Sequence, residues 1–155
     1  MSFRVVETTD DHLLVIAPRM READAAEVFA ATGRSPLSAL RYSVARSDFS
    51  YTIEFDGQPE TVFGCGTVNL VCRIGAPWLL GSDALERYYR HFLKGSRFWV
   101  SKMRREYSGL RNIVDDRNEV SKRWLQWLGF TLSEPIPMGY EQRPFRIFEM
   151  KETNV

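Results

Sequence analysis

The stretch NIVDDRNEVSKRWLQWLGF, Asn112 to Phe130, decides how the chain is read. LRNIVDD, which leads into it, is a short apolar, β-branched run of strand character. Past Asn118 the period changes. Val120, Trp124, Leu125, Trp127 and Leu128 recur at three- and four-residue steps, which makes one apolar helix stripe. Gly129 supplies the residue that ends such a helix in a left-handed conformation, and Phe130 opens the next extended run. Strand, helix and strand in that order mark an α/β chain.

Working outward, GFTLSEP and PFRIFEM read as two closing strands. Upstream lie two more stripes, Leu85, Tyr88, Tyr89, Phe92 and Leu93, then Trp99, Val100, Met103 and Tyr107. Before them the short apolar strand APWLLG ends at Gly81. Tyr51, Ile53 and Phe55 alternate with polar residues, and Asp56-Gly57 then turns the chain into the return arm TVFGCGTVNLVCRI. Gly64 and Gly66 in that arm predict a bulge or a close backbone approach. The chain opens with a strand at Arg4 to Thr9. Pro18 then breaks or restarts a helix, a helical run ends at Gly33, and a second helix starts at Ser35-Pro36. The order is β, α, α, β, β, β, α, α, β, α, β, β in one domain over residues 1–155.

Composition excludes several classes. With 155 residues, 44% of them hydrophobic, the chain fills one ordinary core and no repeat is present. No apolar run reaches the roughly 18 residues of a membrane span. MSFRVVETTDDH lacks the layout of a signal peptide, so a cytoplasmic protein that does not engage a membrane is expected. A net charge of +1 gives no global drive toward nucleic acid. Cys65 and Cys72 are too few for a structural zinc site, no metal site is expected, and without an export signal a disulfide is not expected either. Charge is nonetheless uneven. From Asp83 to Arg111 eight basic residues face three acidic ones, a local +5, which fits a solvated helix face or an anion site.

The residues Ile113 to Asp115, Asn118, the helix to Leu128 and Gly129-Phe130 together resemble the strand–Asn–helix–Gly-Phe element of the GCN5-related N-acetyltransferase (GNAT) superfamily. The element order resembles it over nearly the whole chain, with most similarity to a short phage-encoded group that includes the internal virion protein A family. The resemblance implies a mixed, mostly antiparallel central sheet flanked by helices. It also implies acetyl-CoA as cofactor and an amine acceptor whose identity stays open. A fold does not carry its function with it. The alternative is a non-catalytic relative that binds a host or virion protein, in the host cytoplasm or the virion.

Such an enzyme must hold a pyrophosphate, polarise a thioester carbonyl and take a proton from an amine. The family's phosphate loop follows the central strand directly, whereas here SDALERYYRHFL intervenes. The cradle is therefore assigned to Lys94, Gly95, Ser96 and Arg97, with Gly95-Ser96 opening a helix whose free N–H groups favour anions. An ordinary helix–helix turn is the competing reading. Trp78, Leu79 and Leu80 stand where a backbone N–H of the central strand would polarise the carbonyl, and Pro77 suits an irregular position there. Asn118 completes the expected cofactor contacts.

The family's thiolate-protonating Tyr falls on Leu125, which donates no proton. Tyr107, Tyr89 and His91 are the substitutes nearest in sequence, although Tyr107 and Tyr89 also suit core stripes and His91 an exposed helix face. Glu54, on the polar face of the hairpin strand, and Asp115, at a strand end, are candidates to accept the proton. Asp116 suits a helix start.

Overall fold

A computed structural model describes residues 2–151. Strand β1 (Phe3–Glu7) leads to helix α1 (Asp10–Ile16), a 3₁₀ turn at Ala17–Arg19, then α2 (Glu22–Thr32) and α3 (Pro36–Ala45). β2 (Phe49–Phe55), β3 (Gln58–Asn69) and β4 (Ile74–Gly81) form a meander. It is followed by the short α4 (Ala84–Arg87), the long α5 (Tyr89–Glu106), β5 (Gly109–Asp115) and α6 (Glu119–Leu128). β6 (Thr131–Leu132), β7 (Ile136–Met138) and β8 (Arg143–Met150) close the chain. The sheet order is β1-β2-β3-β4-β5-β8-β6, with β7 also on β8. Every pairing is antiparallel except β4 with β5. This is the expected mixed, mostly antiparallel sheet flanked by helices.

Alternation along β3 and β4 divides the core in two. Val62 and Leu80 pack with Leu13, Ile16 and Leu40 of α1 and α3. Phe63 and Leu79 face the other way, toward Phe92 and Met103 of α5 and Leu125 of α6. Ile16 and Leu40 are fully buried, worth about 1.5–3 kcal/mol each. Gly64 lets two elements approach closely: a Cβ there would lie 2.6 Å from the Phe49 carbonyl oxygen and 3.0 Å from the Trp78 indole nitrogen.

Local chemistry sets the helix ends. The Thr9 hydroxyl accepts from the His12 amide while His12 Nδ1 accepts from the Thr9 amide, a reciprocal cap before α1. Ser35 caps α3 with Pro36 in its first turn, as expected. Asn118 caps α6 through Ser121 N, and Gly129 ends it at φ 105°.

Three expectations are corrected. The opening holds three helices, because Pro18 ends α1 in a 3₁₀ turn and α2 starts afresh at Glu22. Gly95-Ser96 does not open a helix. It lies inside α5, whose buried Phe92, Ser96 and Met103 carry the apolar face straight across the glycine at a propensity cost of about 1 kcal/mol. Leu70 to Arg73 form a turn, so the return arm is not one strand. Cys65 is buried in β3 and Cys72 exposed in that turn.

Candidate active site

The site is built where the sheet comes apart. β4 and β5 pair over two rungs only, Ile74 with Gly109 and Gly75 with Leu110, although both strands run on. Pro77 has no N–H for a further rung. Asn112 takes its place at the fork: Nδ2 donates to the Pro77 carbonyl at 2.9 Å, and Oδ1 accepts the Ile113 N–H at 2.8 Å.

Beyond the fork, strand phase decides which peptide groups face the opening. Ser82 N donates to the Glu60 carbonyl at 2.9 Å, so Leu80 and Trp78, opposite Val62 and Gly64, bond across to β3. Pro77, Leu79 and Gly81 therefore turn their peptide groups toward β5. The Pro77 carbonyl is taken by Asn112. Gly81 N–H donates to Asp24 Oδ2 at 3.1 Å, and its carbonyl accepts the Arg21 N–H at 2.8 Å. Leu79 is left with its N–H and C=O directed into the gap.

On the opposite edge, Asp116 N donates to the Pro144 carbonyl, which turns Ile113 and Asp115 toward the gap. The Asp115 N–H donates to Glu27 Oε1 at 2.7 Å. Arg21, Asp24 and Glu27, one turn apart at the start of α2, thus close the far end of the opening as a strand would.

A cavity of about 270 Å³ occupies the gap. Phe92, Trp124 and Val120 line it on the α5–α6 side, and Glu27, Tyr42 and Trp78 on the α2–α3 side, so it passes through the sheet beside Leu79. Burial pushes the Glu27 carboxyl up to about 8, with Asp24 and Asp115 nearby adding to the shift. Burial likewise raises Asp24 to about 6 against the pull of Arg21. Asp115 is the opposite case. Burial raises it, but hydrogen bonds from the Arg117 side chain (2.7 Å at closest) and backbone outweigh that and hold it below the ordinary carboxylate range. Once ionised, a carboxylate that titrates near 8 is a much stronger base than one locked to a guanidinium.

The structure brings some of the sequence candidates together. Trp78, Leu79, Leu80, Gly95 and Ser96 all line the cavity, the last two as mid-helix residues of α5. The Ser96 hydroxyl donates to the Leu93 carbonyl. Asn118 and Asp115 line an adjoining polar pocket, where Asn118 Nδ2 is buried without a well-formed hydrogen bond among the described residues, although its side chain is near enough to Glu27 to favour the carboxylate. Others lie elsewhere. Glu54 sits on β2, opposite Arg4 of β1, two strands from the gap. His91 does not line the cavity; it is exposed and stacks on Phe3, which does. Lys94 and Arg97 are exposed, and the Arg97 guanidinium lies 4.0 Å from the Trp127 ring centre. Tyr107 OH donates to Asp48 at 2.6 Å near the paired end of β4, and burial with that bond raises its pKa far from any acid role. Of the aromatic substitutes only Tyr89 lines the cavity.

Glu27, Asp24 and Asn112 escaped the sequence reading. The available signal was in ADAAEVFAA, where Asp24 and Glu27 sit three apart on the face that also carries Val28 and Ala31. Carboxylates on the inward face of a helix are costly unless they bond something there.

No family model and no curated protein matches the chain. Solved structures do. An N-acetyltransferase from Staphylococcus aureus Mu50 superposes with TM-score 0.68 at 12% identity, over 97% of this chain and 99% of that one. An acetyltransferase of the GNAT family from Streptococcus pneumoniae gives 0.62 at 11%, over 98% and 100%. AAC(6')-Ib in complex with ribostamycin and coenzyme A gives 0.71 at 12%, over 97% and 94%. At such identities the likeness is one of fold, and the fold is that of the GCN5-related N-acetyltransferases.

Proposed function

We propose that the protein is an acyl-CoA-dependent N-acetyltransferase. The observation that carries this is the parting of β4 from β5 with the Leu79 peptide group turned into a cavity that crosses the sheet. The residues fit an acyl-CoA: the gap admits an extended pantetheine arm, and the Leu79 N–H and C=O are unused ladder groups that would bond its amides and the thioester carbonyl. Acyl-CoA supplies the activated acyl group. The chain supplies a fixed N–H donor at Leu79 and a proton acceptor at Glu27, across the sheet from the α5–α6 mouth. As the amine nitrogen forms the new C–N bond, the C–S bond would break with its electron pair leaving on sulfur as the thiolate, and the amine proton would pass to the Glu27 carboxylate. Phosphates fit less closely to a backbone cradle, because Ser82 to Arg87 fold into a turn and the short α4 with Asp83 and Glu86 in it. Side-chain cations at the exposed junction of the two helices, Arg87 at the end of α4 and Arg90 at the start of α5, take that role.

A second reading, the non-catalytic relative that binds a host or virion protein, is favoured by that same altered loop: Asp83 and Glu86 repel phosphate. Thermal unfolding with acetyl-CoA separates the two. A ligand confined to the native state adds about 2.7 kcal/mol at a hundredfold excess over Kd. No shift at millimolar acetyl-CoA overturns the transferase reading.

A further inference from the structure

The α2–α3 side of the cavity has a chemistry of its own. Val28 and Ala31 of α2 and Ala39 of α3 make its walls, and the Trp78 indole its base. Trp78 is a rigid surface: its ring nitrogen donates to Ser47 Oγ at 2.7 Å, and Gly64 beneath leaves room for it to lie flat. Tyr42 stands at the rim with the Arg34 guanidinium 4.1 Å from its ring centre and Arg46 at 5.2 Å. Among the described lining residues on this side the carboxyls are Asp24 and Glu27. Asp24 is committed to Gly81 N–H and Arg21, which leaves Glu27 as the one acidic partner at the inner end.

An apolar slot of this kind pairs with one ammonium on an apolar body. A polyamine or aminoglycoside brings several ammonium groups. All but one would meet aliphatic walls or the cationic rim, an uncompensated desolvation for each. Resting on the transferase reading above, we infer that the acceptor is a monoamine carried on an aromatic or alkyl body, entering between α2 and α3 with its nitrogen at Glu27. The flat indole face and the Tyr42 ring suit an aryl group.

The test uses phenethylamine and tryptamine as apolar probes, with kanamycin and spermidine as polycations. Amine binding is titrated first without any coenzyme, by calorimetry, so the slot is judged independently of the transfer reaction. The apolar amines are expected to bind at least about tenfold tighter than the polycations, and to be acetylated with kcat/KM higher by a similar factor. Ala31→Phe, which fills the slot, is expected to raise the KM of the apolar amine about tenfold and leave the Kd of acetyl-CoA unchanged. Preference for kanamycin or spermidine overturns this inference and leaves the transferase standing. Absence of acetyl-CoA binding overturns the transferase, while the amine titration still decides the slot. An Ala31→Phe variant that binds apolar amines as tightly as the native chain overturns the assignment of the slot.

Discussion

Glu27 Oε1 accepts the Asp115 amide hydrogen at 2.7 Å across 88 residues of sequence, and by doing so a helix supplies the rung that β4 withholds from β5. One carboxyl oxygen holds the split sheet at its far end. The same side chain lines the cavity, where burial has weakened it as an acid. Structural support and the proposed proton acceptance thus fall on one residue.

The pH dependence of transfer follows from this placement. The rate should rise with pH through about 8 as Glu27 ionises. Glu27→Gln should lower kcat by about 10²–10⁴ and remove that limb of the profile, while Asp115 N–H keeps an oxygen partner. An unchanged profile in the variant would exclude Glu27 as the base.

Glu27 also links stability to pH. Its folded value, about 8, lies above its ordinary 4.5, so the native state retains a proton that the unfolded chain releases. That contribution is full below about pH 4.5 and is lost as pH rises through 8, on the order of a few kcal/mol. Urea melts of native and Glu27→Gln protein at pH 5 and pH 9 check it, since only the native chain should show this loss.

Leu79→Pro isolates the backbone donor. The Leu79 N–H makes no bond to β3, and Pro77 already occupies the equivalent phase two residues earlier, so the ladder should survive. Loss of the N–H should lower kcat by about 10²–10³ with the fold retained by circular dichroism. Full activity in a folded Leu79→Pro variant would remove the proposed role.

Asn112→Ala strips the fork of its wedge. The Pro77 carbonyl and the Ile113 N–H each lose a partner, at a cost of about 1–3 kcal/mol in denaturant unfolding. Acetyl-CoA affinity should fall as well, because the edges of the gap are no longer held apart at a fixed distance.

Lys94→Ala with Arg97→Ala should leave the calorimetric heat of acetyl-CoA binding unchanged. Both residues project from the middle of α5, where backbone N–H groups are spent on the helix itself. Arg87→Ala with Arg90→Ala, at the exposed junction of α4 and α5, should weaken it. The reverse pattern would return the phosphate site to Lys94 and Arg97.

What could be read from the residues alone was local. Helix period placed α3 and α6, Ser35-Pro36 and Asn118 their starts and Gly129 the end of α6; strand alternation gave the hairpin, and Pro77 announced an irregular central strand. Each is a signal carried within a few residues, because caps, turns and periodicity act over one or two turns of chain. Gly95 misled because its local preference was outweighed by an apolar face that continues beyond it. Tyr107 misled because proximity in sequence to the motif says nothing of which end of a strand a helix returns to. The parting of β4 from β5, the orientation of Leu79 and the arrival of Glu27 at Asp115 were decided only by tertiary structure. Which peptide groups meet across a sheet depends on register between distant segments, and a carboxyl's acidity depends on what covers it; neither quantity exists until the chain is folded.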